Sequence, residues 1–149
     1  VHRQAEGREL WIGGIKLAHT KGLLGHSDAD VLLHAICDAL LGAANLRDIG
    51  FHFPDTAKEY KDVDSKLLLK KTLEVLTEKG YRIGNIDATV VAERPKINPH
   101  VPEMQQVIAE ILEIDVDDIS IKASTSEKIG YVGREEGMTA YAVALIEKI

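Results

Sequence analysis

The pattern of hydrophobic and polar positions predicts both strands and helices along this chain. Alternating or β-branched stretches predict strands at residues 86–92, 119–123 and 139–147. The run ELWIGGIKL at residues 9–17 predicts a hairpin, because Gly13-Gly14 separates two short apolar pieces as a two-residue turn would. Helical periodicity predicts three helices, at about residues 28–44, 65–79 and 102–112.

The ends of these elements are marked by residues with specific backbone roles. Ser27 is a suitable N-cap for the first helix, and Gly80 stands where the second helix would close. Residues 45–63 contain DIG and FPDT without a clear period, so we expect a long loop that carries function. Pro95, Pro99 and Pro102 prevent a regular strand until the third helix begins.

Strands and helices interleave without strict alternation, which predicts an α+β fold. We expect a single domain over residues 1–149, with a mixed, mainly four-stranded sheet and helices on one face. The last predicted strand is apolar on both sides, because Tyr141, Val143 and Leu145 alternate with alanines. The second face of the sheet is therefore predicted to be covered by association between subunits.

Composition narrows the functional classes. Hydrophobic residues make up 45% and charged residues 28% of 149 residues, and no long apolar run could span a bilayer, so we expect a soluble protein. The net charge of -6 argues against sequence-independent binding of nucleic acid, so any phosphate must be held locally or through a metal. The single cysteine, Cys37, excludes an internal disulfide and is expected to be an inert core thiol. Because the chain begins at Val1 without a methionine, we expect that residues precede it.

The first helix carries an unusual row of polar side chains in the stretch GHSDADVLLHA. Asp30, His34 and Asp38 are spaced at i, i+4 and i+8 and share one face, but no Lys or Arg occurs in residues 31–44. The row is either a solvated face with contacts between neighbouring turns, or His34 is a metal ligand with Asp30 and Asp38 as supports. His26, beside Ser27, either only begins the helix or helps to hold an anion there.

A second group of polar residues follows the strand at residues 119–123. In KASTSEKIG, Ser124 and Glu127 have the spacing of a capping box, yet the same hydroxyl groups would suit phosphate oxygens and Glu127 could hold Mg²⁺ or Mn²⁺. Arg134 could add a bidentate phosphate contact, although it and Tyr131 could equally be surface or interface residues. Lys96 in ERPKINPH is either solvated or a phosphate or ribose contact.

Together these motifs resemble the 2-C-methyl-D-erythritol 2,4-cyclodiphosphate synthase family along essentially the whole chain. GGI alone would be uninformative, but the spaced motif HSDxDxxxHAxxDAxLGA followed by DIGxxFPDT is highly specific. Val1-His2 matches the end of the family's D-V-H, and the RPKI loop and KASTSEKIGYVGREEG complete the match. The resemblance implies a zinc ion held by His2, His34 and an aspartate expected immediately before Val1. It also implies Mg²⁺ or Mn²⁺ held by Glu127 with the substrate diphosphate.

The resemblance assigns His26 and Thr125 to stabilisation of the transition state. It places His26 and Ser27 against the substrate's phosphate and diol, and a mobile substrate loop, with Asp55 as its natural polar contact, at residues 53–57. The cytidine and diphosphate pocket is implied at residues 92–98 and 124–127. The full set of implied substrate contacts is His2, His26, Ser27, Asp48, Ile49, Gly50, Phe53, Pro54, Asp55, Thr56, Ala57, Ala92, Lys96, Ile97, Asn98, Ser124, Thr125, Ser126, Glu127, Tyr131 and Arg134.

The implied reaction is an intramolecular phosphoryl transfer. The 2-phosphate of 4-diphosphocytidyl-2-C-methyl-D-erythritol 2-phosphate attacks the β-phosphorus, which releases CMP and forms 2-C-methyl-D-erythritol 2,4-cyclodiphosphate. The resemblance further implies a homotrimer with active sites between subunits, located in the cytoplasm or the plastid stroma, without nucleic-acid or membrane partners. Some family members bind an isoprenoid phosphate on the threefold axis; Arg134 fits that role but Tyr141 replaces an acidic partner, so that ligand stays open.

Two other functions remain compatible with the residues alone. A zinc hydrolase acting on a phosphoester or an amide would use the same histidines, with water as the nucleophile and a linear product. A non-catalytic trimeric binding module would keep the core but would not need His34, Asp38, Asp48 and Glu127 together.

Overall fold

The computed structural model describes residues 1–60 and 63–149, and within them five strands form one mixed sheet in the order β4-β1-β7-β5-β6. β2 and β3 form a separate two-stranded hairpin. The strands are β1 (His2–Glu6), β2 (Leu10–Ile12), β3 (Ile15–Leu17), β4 (Lys21–Leu23), β5 (Tyr81–Val91), β6 (Ile119–Ser124) and β7 (Gly137–Lys148).

The α+β architecture is as predicted, but the main sheet has five strands and not four. β1 and β4 were not predicted from the sequence pattern, because they are too short to show a clear alternation; they pair antiparallel with each other at one edge of the sheet. β5 is longer than predicted, and its antiparallel pairing with β7 shifts register between Ile83 and Asn85. β6 lies parallel to β5, as a connection through a helix allows.

The predicted hairpin is present, and its turn is built by two glycines. Gly13 and Gly14 have φ values of +64° and +81°, which a two-residue hairpin turn of this hand requires and which glycine adopts without steric cost. Both turn N–H groups donate to the buried Asp30 carboxylate, at 2.9 Å and 2.8 Å. The turn is therefore attached directly to the start of the first helix.

The first helix begins later than predicted, because Asp30 and not Ser27 is its N-cap. Asp30 has an extended backbone and its side chain accepts a hydrogen bond from Leu33 N–H, whereas the Ser27 hydroxyl accepts from Ala29 N–H in the preceding turn. The helices are α1 (Val31–Ala43), α2 (Ile49–His52), α3 (Ser65–Glu78), α4 (Val101–Leu112) and α5 (Gly130–Gly133).

The segment predicted as one long loop contains two short helical turns. α2 and a 3₁₀ turn at Lys58–Tyr60 lie within it, and residues 61–62 of the predicted loop lie outside the described residues. Gly80, with a φ of +92°, follows the end of α3 as the sequence predicted.

The long helices cover one face of the sheet, as predicted. The fully buried Leu32, Ile36 and Leu40 of α1 belong to the same core cluster as Ile86 and Val90 of β5. On the opposite face of β7, Tyr141, Val143 and Leu145 remain 60–72% exposed. Nowhere in residues 1–60 and 63–149 is there a helix with the length and apolar character needed to cross a membrane.

Candidate active site

Two histidines from different elements meet at the first part of the site. His2 on β1 and His34 on α1 bring His2 Nε2 and His34 Nδ1 within 3.2 Å, and the ring centroids are 5.3 Å apart. The pairing of β1 with β7 and the packing of α1 against the sheet hold these two side chains, which are 32 positions apart in the sequence. The sequence-based grouping of His2 with His34 is therefore reproduced by the fold.

Burial keeps this pair neutral near pH 7. Desolvation, reinforced by the neighbouring His2, lowers the pKa of His34 to about 4, and burial also lowers the pKa of His2. Neutral imidazole nitrogens have lone pairs that bind transition metals. The two facing nitrogens thus have the donor chemistry that a zinc site requires.

The carboxylates expected to support His34 do not contact its ring. The Asp30 side chain accepts from Gly13, Gly14 and Leu33, and Asp38 Oδ1 accepts from Ile49 N–H at 2.9 Å. These two predictions are wrong because both carboxylates are used by nearby backbone N–H groups.

A different pair of residues supports His34. His34 Nε2 lies 2.8 Å from Ser65 Oγ, and the Ser65 hydroxyl in turn donates to Asp28 Oδ1. Ser27 Oγ is a more distant neighbour, at 3.3 Å from His34 Nε2. Ser65 is fully buried at the first turn of α3, so this contact joins two helices that the sequence shows only as separate elements.

His26 lies at the mouth of the same cavity and contacts the loop across it. Its Nε2 is 3.2 Å from Asp55 Oδ2, and both side chains are more than half exposed. The cavity has a volume of about 290 Å³, and its lining combines polar groups with apolar walls: His2, Gly25, His26, Ser27, His34, Ile49, Phe53, Asp55, Tyr60, Val63 and Leu68. The predicted loop residues Phe53 and Asp55 therefore line the same cavity as the histidine pair.

Asp48 shapes the adjoining backbone. Its side chain caps α2 by accepting from Phe51 N–H at 2.9 Å, and Ile49 and Gly50 form the first turn of that helix. Ile49 lines the cavity, whereas Gly50 is exposed. The neighbouring predicted residues Pro54, Thr56 and Ala57 form a turn closed by Ala57 N–H donating to the Pro54 carbonyl at 3.0 Å.

A second cavity of about 280 Å³ lies at the carboxyl ends of the parallel strands β5 and β6. Among the residues that the structure describes, the two cavities have no lining residue in common. Six of its lining residues were predicted as substrate contacts, namely Ala92, Lys96, Ile97, Asn98, Ser124 and Thr125. His26 and Thr125, predicted to act on one transition state, thus line different cavities of the same chain.

The turn after β6 is organised by a carboxylate that the sequence analysis did not select. Glu93 Oε1 accepts from Ser126 N–H at 2.8 Å, from Ser126 Oγ at 3.1 Å and from Lys128 N–H at 3.2 Å. Glu127 is exposed and has a φ of +55°, and its N–H contacts Thr125 Oγ1 at 3.3 Å. The capping box is not formed, because no helix begins at Ser124.

Tyr131 and Arg134 belong to α5 and its end, and they are not among the described residues that line either cavity. Arg134 donates from both Nε and Nη2 to Glu136 Oε2, at 3.1 Å and 3.0 Å. The Arg134 guanidinium is therefore already paired with a carboxylate of the same chain. Cys37 is fully buried, and desolvation raises the pKa of its thiol to about 12, in agreement with an inert core cysteine.

A complete metal site is not formed by this chain's described residues. Within residues 1–60 and 63–149 there is no cluster of three or more His, Cys, Asp or Glu side chains that could hold a metal ion. The facing nitrogens of His2 and His34 nevertheless fit two positions of a zinc coordination sphere, which normally takes three or four protein ligands.

Comparison with known proteins decides the family. The model of the YgbB family matches residues 1–147. The chain belongs to the YgbB family. A 2-C-methyl-D-erythritol 2,4-cyclodiphosphate synthase of Bacteroides fragilis is 70% identical over 149 residues, which are 100% of this chain and 94% of that relative. The Cytophaga hutchinsonii protein of the same name is 62% identical and covers 99% of this chain and 93% of its own.

Solved structures of similar proteins share the fold. A 2C-methyl-D-erythritol-2,4-cyclodiphosphate synthase superposes with a TM-score of 0.90 at 34% identity, covering 98% of this chain and 95% of that one. A CDP-bound form of such a synthase gives the same TM-score at 31% identity, with the same coverage. The bifunctional IspDF from Campylobacter jejuni gives 0.95 at 40% identity over 99% of this chain, which corresponds to 40% of that longer chain.

The functional residues that sequence reasoning missed were hidden by ordinary local patterns. Ser65 stands at a helix start, where serine is common, and Glu93 precedes an arginine in a charged loop. Only the tertiary contacts with His34 and with the turn at Ser126 give these residues a role. Asp28, which the sequence shows only as part of the HSDxD motif, reaches α3 through both carboxylate oxygens.

Proposed function

We propose that this protein converts 4-diphosphocytidyl-2-C-methyl-D-erythritol 2-phosphate to 2-C-methyl-D-erythritol 2,4-cyclodiphosphate and CMP. The observation that carries the proposal is the facing pair of His2 and His34 in a cavity that also presents His26, in a YgbB-family chain 70% identical to a named synthase. The chain is thus a phosphorus-oxygen lyase of the non-mevalonate isoprenoid route.

The protein's main task in this reaction is to position groups that already react with each other. The attacking phosphate and the attacked phosphorus belong to one molecule, so no protein nucleophile is needed and catalysis comes from orientation and charge neutralisation. His26 and Ser27 would hold the 2-phosphate and the diol at the mouth of the first cavity. Asp48, Ile49 and Gly50 would meet the methylerythritol part, and the loop at residues 53–57 would exclude water.

His2 and His34 are proposed as zinc ligands, with an aspartate before Val1 as the third. Zinc bound there supplies a Lewis acid that polarises a phosphate oxygen. The chain contributes two neutral imidazoles held 3.2 Å apart before any ion binds, which limits the reorganisation that binding requires.

The second cavity is proposed to bind the cytidine and diphosphate. Its apolar wall of Ala92 and Ile97 suits a base, and Lys96, Ser124 and Thr125 offer donors for ribose or phosphate oxygens. The similar synthase solved with CDP supports a nucleotide ligand. Glu127, on the exposed turn beside Thr125, would hold Mg²⁺ or Mn²⁺ against the diphosphate, and Tyr131 and Arg134 would contact substrate only at its margin.

A homotrimer would bring the two cavities together. Because His26 and Thr125 line separate cavities on one chain, a single substrate would touch both only if neighbouring subunits contribute one cavity each. The exposed row of Tyr141, Val143 and Leu145 supplies an apolar sheet face for that association.

The test is to incubate the protein, extended at its N-terminus to include the expected aspartate, with substrate, Zn²⁺ and Mg²⁺, and to follow products by phosphorus NMR. We expect CMP and a cyclic diphosphate in equal amounts. A linear product would support a zinc hydrolase, and absence of turnover with retained ligand binding would support a binding module; either result would overturn the proposal.

Two substitutions test the roles of the two cavities separately. His34→Ala should lower zinc content and turnover together, since it removes a metal ligand. Thr125→Ala should lower turnover at unchanged zinc content, since Thr125 lies in the other cavity. Full activity of zinc-free His34→Ala would contradict the role assigned to that histidine.

A further inference from the structure

We infer that Ser65 is a positioning residue for His34, which it fixes in the tautomer whose Nδ1 is free to bind a metal. The inference rests on the proposed function in one respect, namely that His34 is a metal ligand. It concerns a residue outside both sets of cavity-lining residues and explains why a fully buried hydroxyl stands at this point of α3.

The direction of the hydrogen bonds follows from the chemistry of Asp28. Its Oδ1 receives Asp30 N–H at 3.1 Å, and its Oδ2 receives Ser65 N–H at 3.0 Å. A carboxylate only accepts, so the Ser65 hydroxyl proton also points to Asp28, at Oδ1. The lone pairs of Ser65 Oγ are then left for another donor.

The closest group to accept from is His34 Nε2, since the Ser27 hydroxyl lies farther from Ser65 Oγ, at 3.3 Å. Since Ser65 Oγ accepts at 2.8 Å, the proton of the neutral ring lies on Nε2. The other nitrogen, Nδ1, is then unprotonated, so in the metal-free protein the 3.2 Å hydrogen bond between the two rings runs from His2 Nε2 to His34 Nδ1. The arrangement extends the known pairing of a metal-bound histidine with a carboxylate by inserting one hydroxyl group between them.

Neither helix capping nor the neighbouring Ser27 explains why the Ser65 hydroxyl lies against the His34 ring. The N-cap of α3 is Asp64, whose carboxylate accepts from Lys66 N–H at 2.9 Å, so the Ser65 hydroxyl is not needed to begin the helix. Ser27 Oγ lies farther from His34 Nε2, at 3.3 Å, and faces the first cavity, where substrate would compete for it. Ser65 is the neighbour that stays in place when the cavity is occupied.

The experiment compares Ser65→Ala with Thr72→Val as a matched control. Both changes remove one buried hydroxyl from α3, but Thr72 Oγ1 donates to the Leu68 carbonyl and not to His34. Zinc affinity is measured on the N-terminally extended protein by competition with a chromophoric chelator, without substrate. We expect Ser65→Ala to weaken zinc binding about 10-fold to 100-fold and Thr72→Val to leave it unchanged.

Nitrogen-15 NMR of the metal-free protein supplies the spectroscopic signature. We expect wild type and Thr72→Val to carry the His34 proton on Nε2, and Ser65→Ala to show a mixture of tautomers. A proton on Nδ1 in the wild type would overturn the inference whatever the variants do, and so would unchanged zinc affinity in Ser65→Ala.

A negative result in the zinc-affinity or NMR measurement can be told apart from failure of the proposed cyclisation activity. Both measurements are made without the cytidyl substrate, so a protein that binds zinc but forms no cyclic product would still test the role of Ser65. A wild type that binds no zinc while cyclising substrate would remove the metal role of His34 and, with it, this inference.

Discussion

The buried carboxylate of Asp30 should give the protein a measurable pH dependence of stability. Asp30 is 0% exposed, and desolvation raises its pKa from 3.8 to about 6, although N–H groups of Leu33, Gly14 and Gly13 partly offset the rise. A raised folded-state pKa means that the native state binds the proton more tightly than the unfolded state does. The stabilising contribution is therefore complete below pH 4 and is lost as the pH rises through 6.

The size of the effect follows from the shift. About two pKa units correspond to about 3 kcal/mol, of which about 2 kcal/mol is lost between pH 4.5 and pH 7.5. Asp30→Asn has no such titration, and its single acceptor oxygen leaves one of the hairpin N–H groups unpaired, which costs about 1–3 kcal/mol at any pH. The stability difference between wild type and variant should therefore shrink as the pH rises.

The assay is urea unfolding of both proteins with a metal chelator present, at pH 4.5, 6.0 and 7.5. Contributions from other titrating groups, including the histidine pair, cancel when the two free energies are subtracted at each pH. We expect the difference to fall by about 2 kcal/mol over this range. Parallel stability curves would refute the reasoning, because they would mean that the three N–H donors fully compensate for the burial of the charge.

Three further predictions test the sheet face, a close backbone contact and the turn beside the second cavity. Val143→Lys should convert the proposed trimer to monomers in sedimentation analysis, since about 1–2 kcal/mol of apolar burial per subunit is lost. The control is Leu67→Lys, which changes an exposed apolar side chain on α3 and should leave assembly intact. A Val143→Lys variant that remains trimeric would count against this interface. Gly22→Ala should destabilise the protein by about 1–3 kcal/mol in thermal unfolding, because the new methyl group meets backbone oxygens. Gly42→Ala in α1 places its methyl group in open space and should stabilise the protein by about 0.5–1 kcal/mol. Equal changes in stability for the two variants would show that the close backbone contact at Gly22 is unimportant. Glu93→Ala should weaken CDP binding about tenfold by calorimetry, while Glu93→Gln, which keeps one acceptor oxygen for the turn, should bind nearly as wild type.

The sequence predicted the long elements because their patterns are local. The glycine hairpin, α3 and its closing Gly80, and the strands that flank the second cavity all follow from residues close to one another in the chain. β1 and β4 were missed because strands of five and three residues gain their stability from partners that are distant in sequence. The predicted number of four strands in the main sheet was wrong for the same reason.

The candidate site shows the same division between local and tertiary information. His34 could be selected because an apolar helix without basic residues made a polar row conspicuous, and the match with the family motif added His2. The supports of His34 could not be found this way: Asp30 and Asp38 share its helix face, but their carboxylates bind nearby backbone N–H groups. Ser65 and Asp28 reach the ring only through the packing of α3 beside α1.

The separation of His26 and Thr125 into two cavities has a genetic consequence. In a trimer built as proposed, a chain with a defective first cavity and a chain with a defective second cavity would each be inactive alone. When the two are coexpressed in equal amounts and mix at random, about a quarter of the sites would combine two intact halves. Two damaged alleles of one gene would then complement each other, and a chain defective in one cavity would disable one of the two sites that it shares with its neighbours.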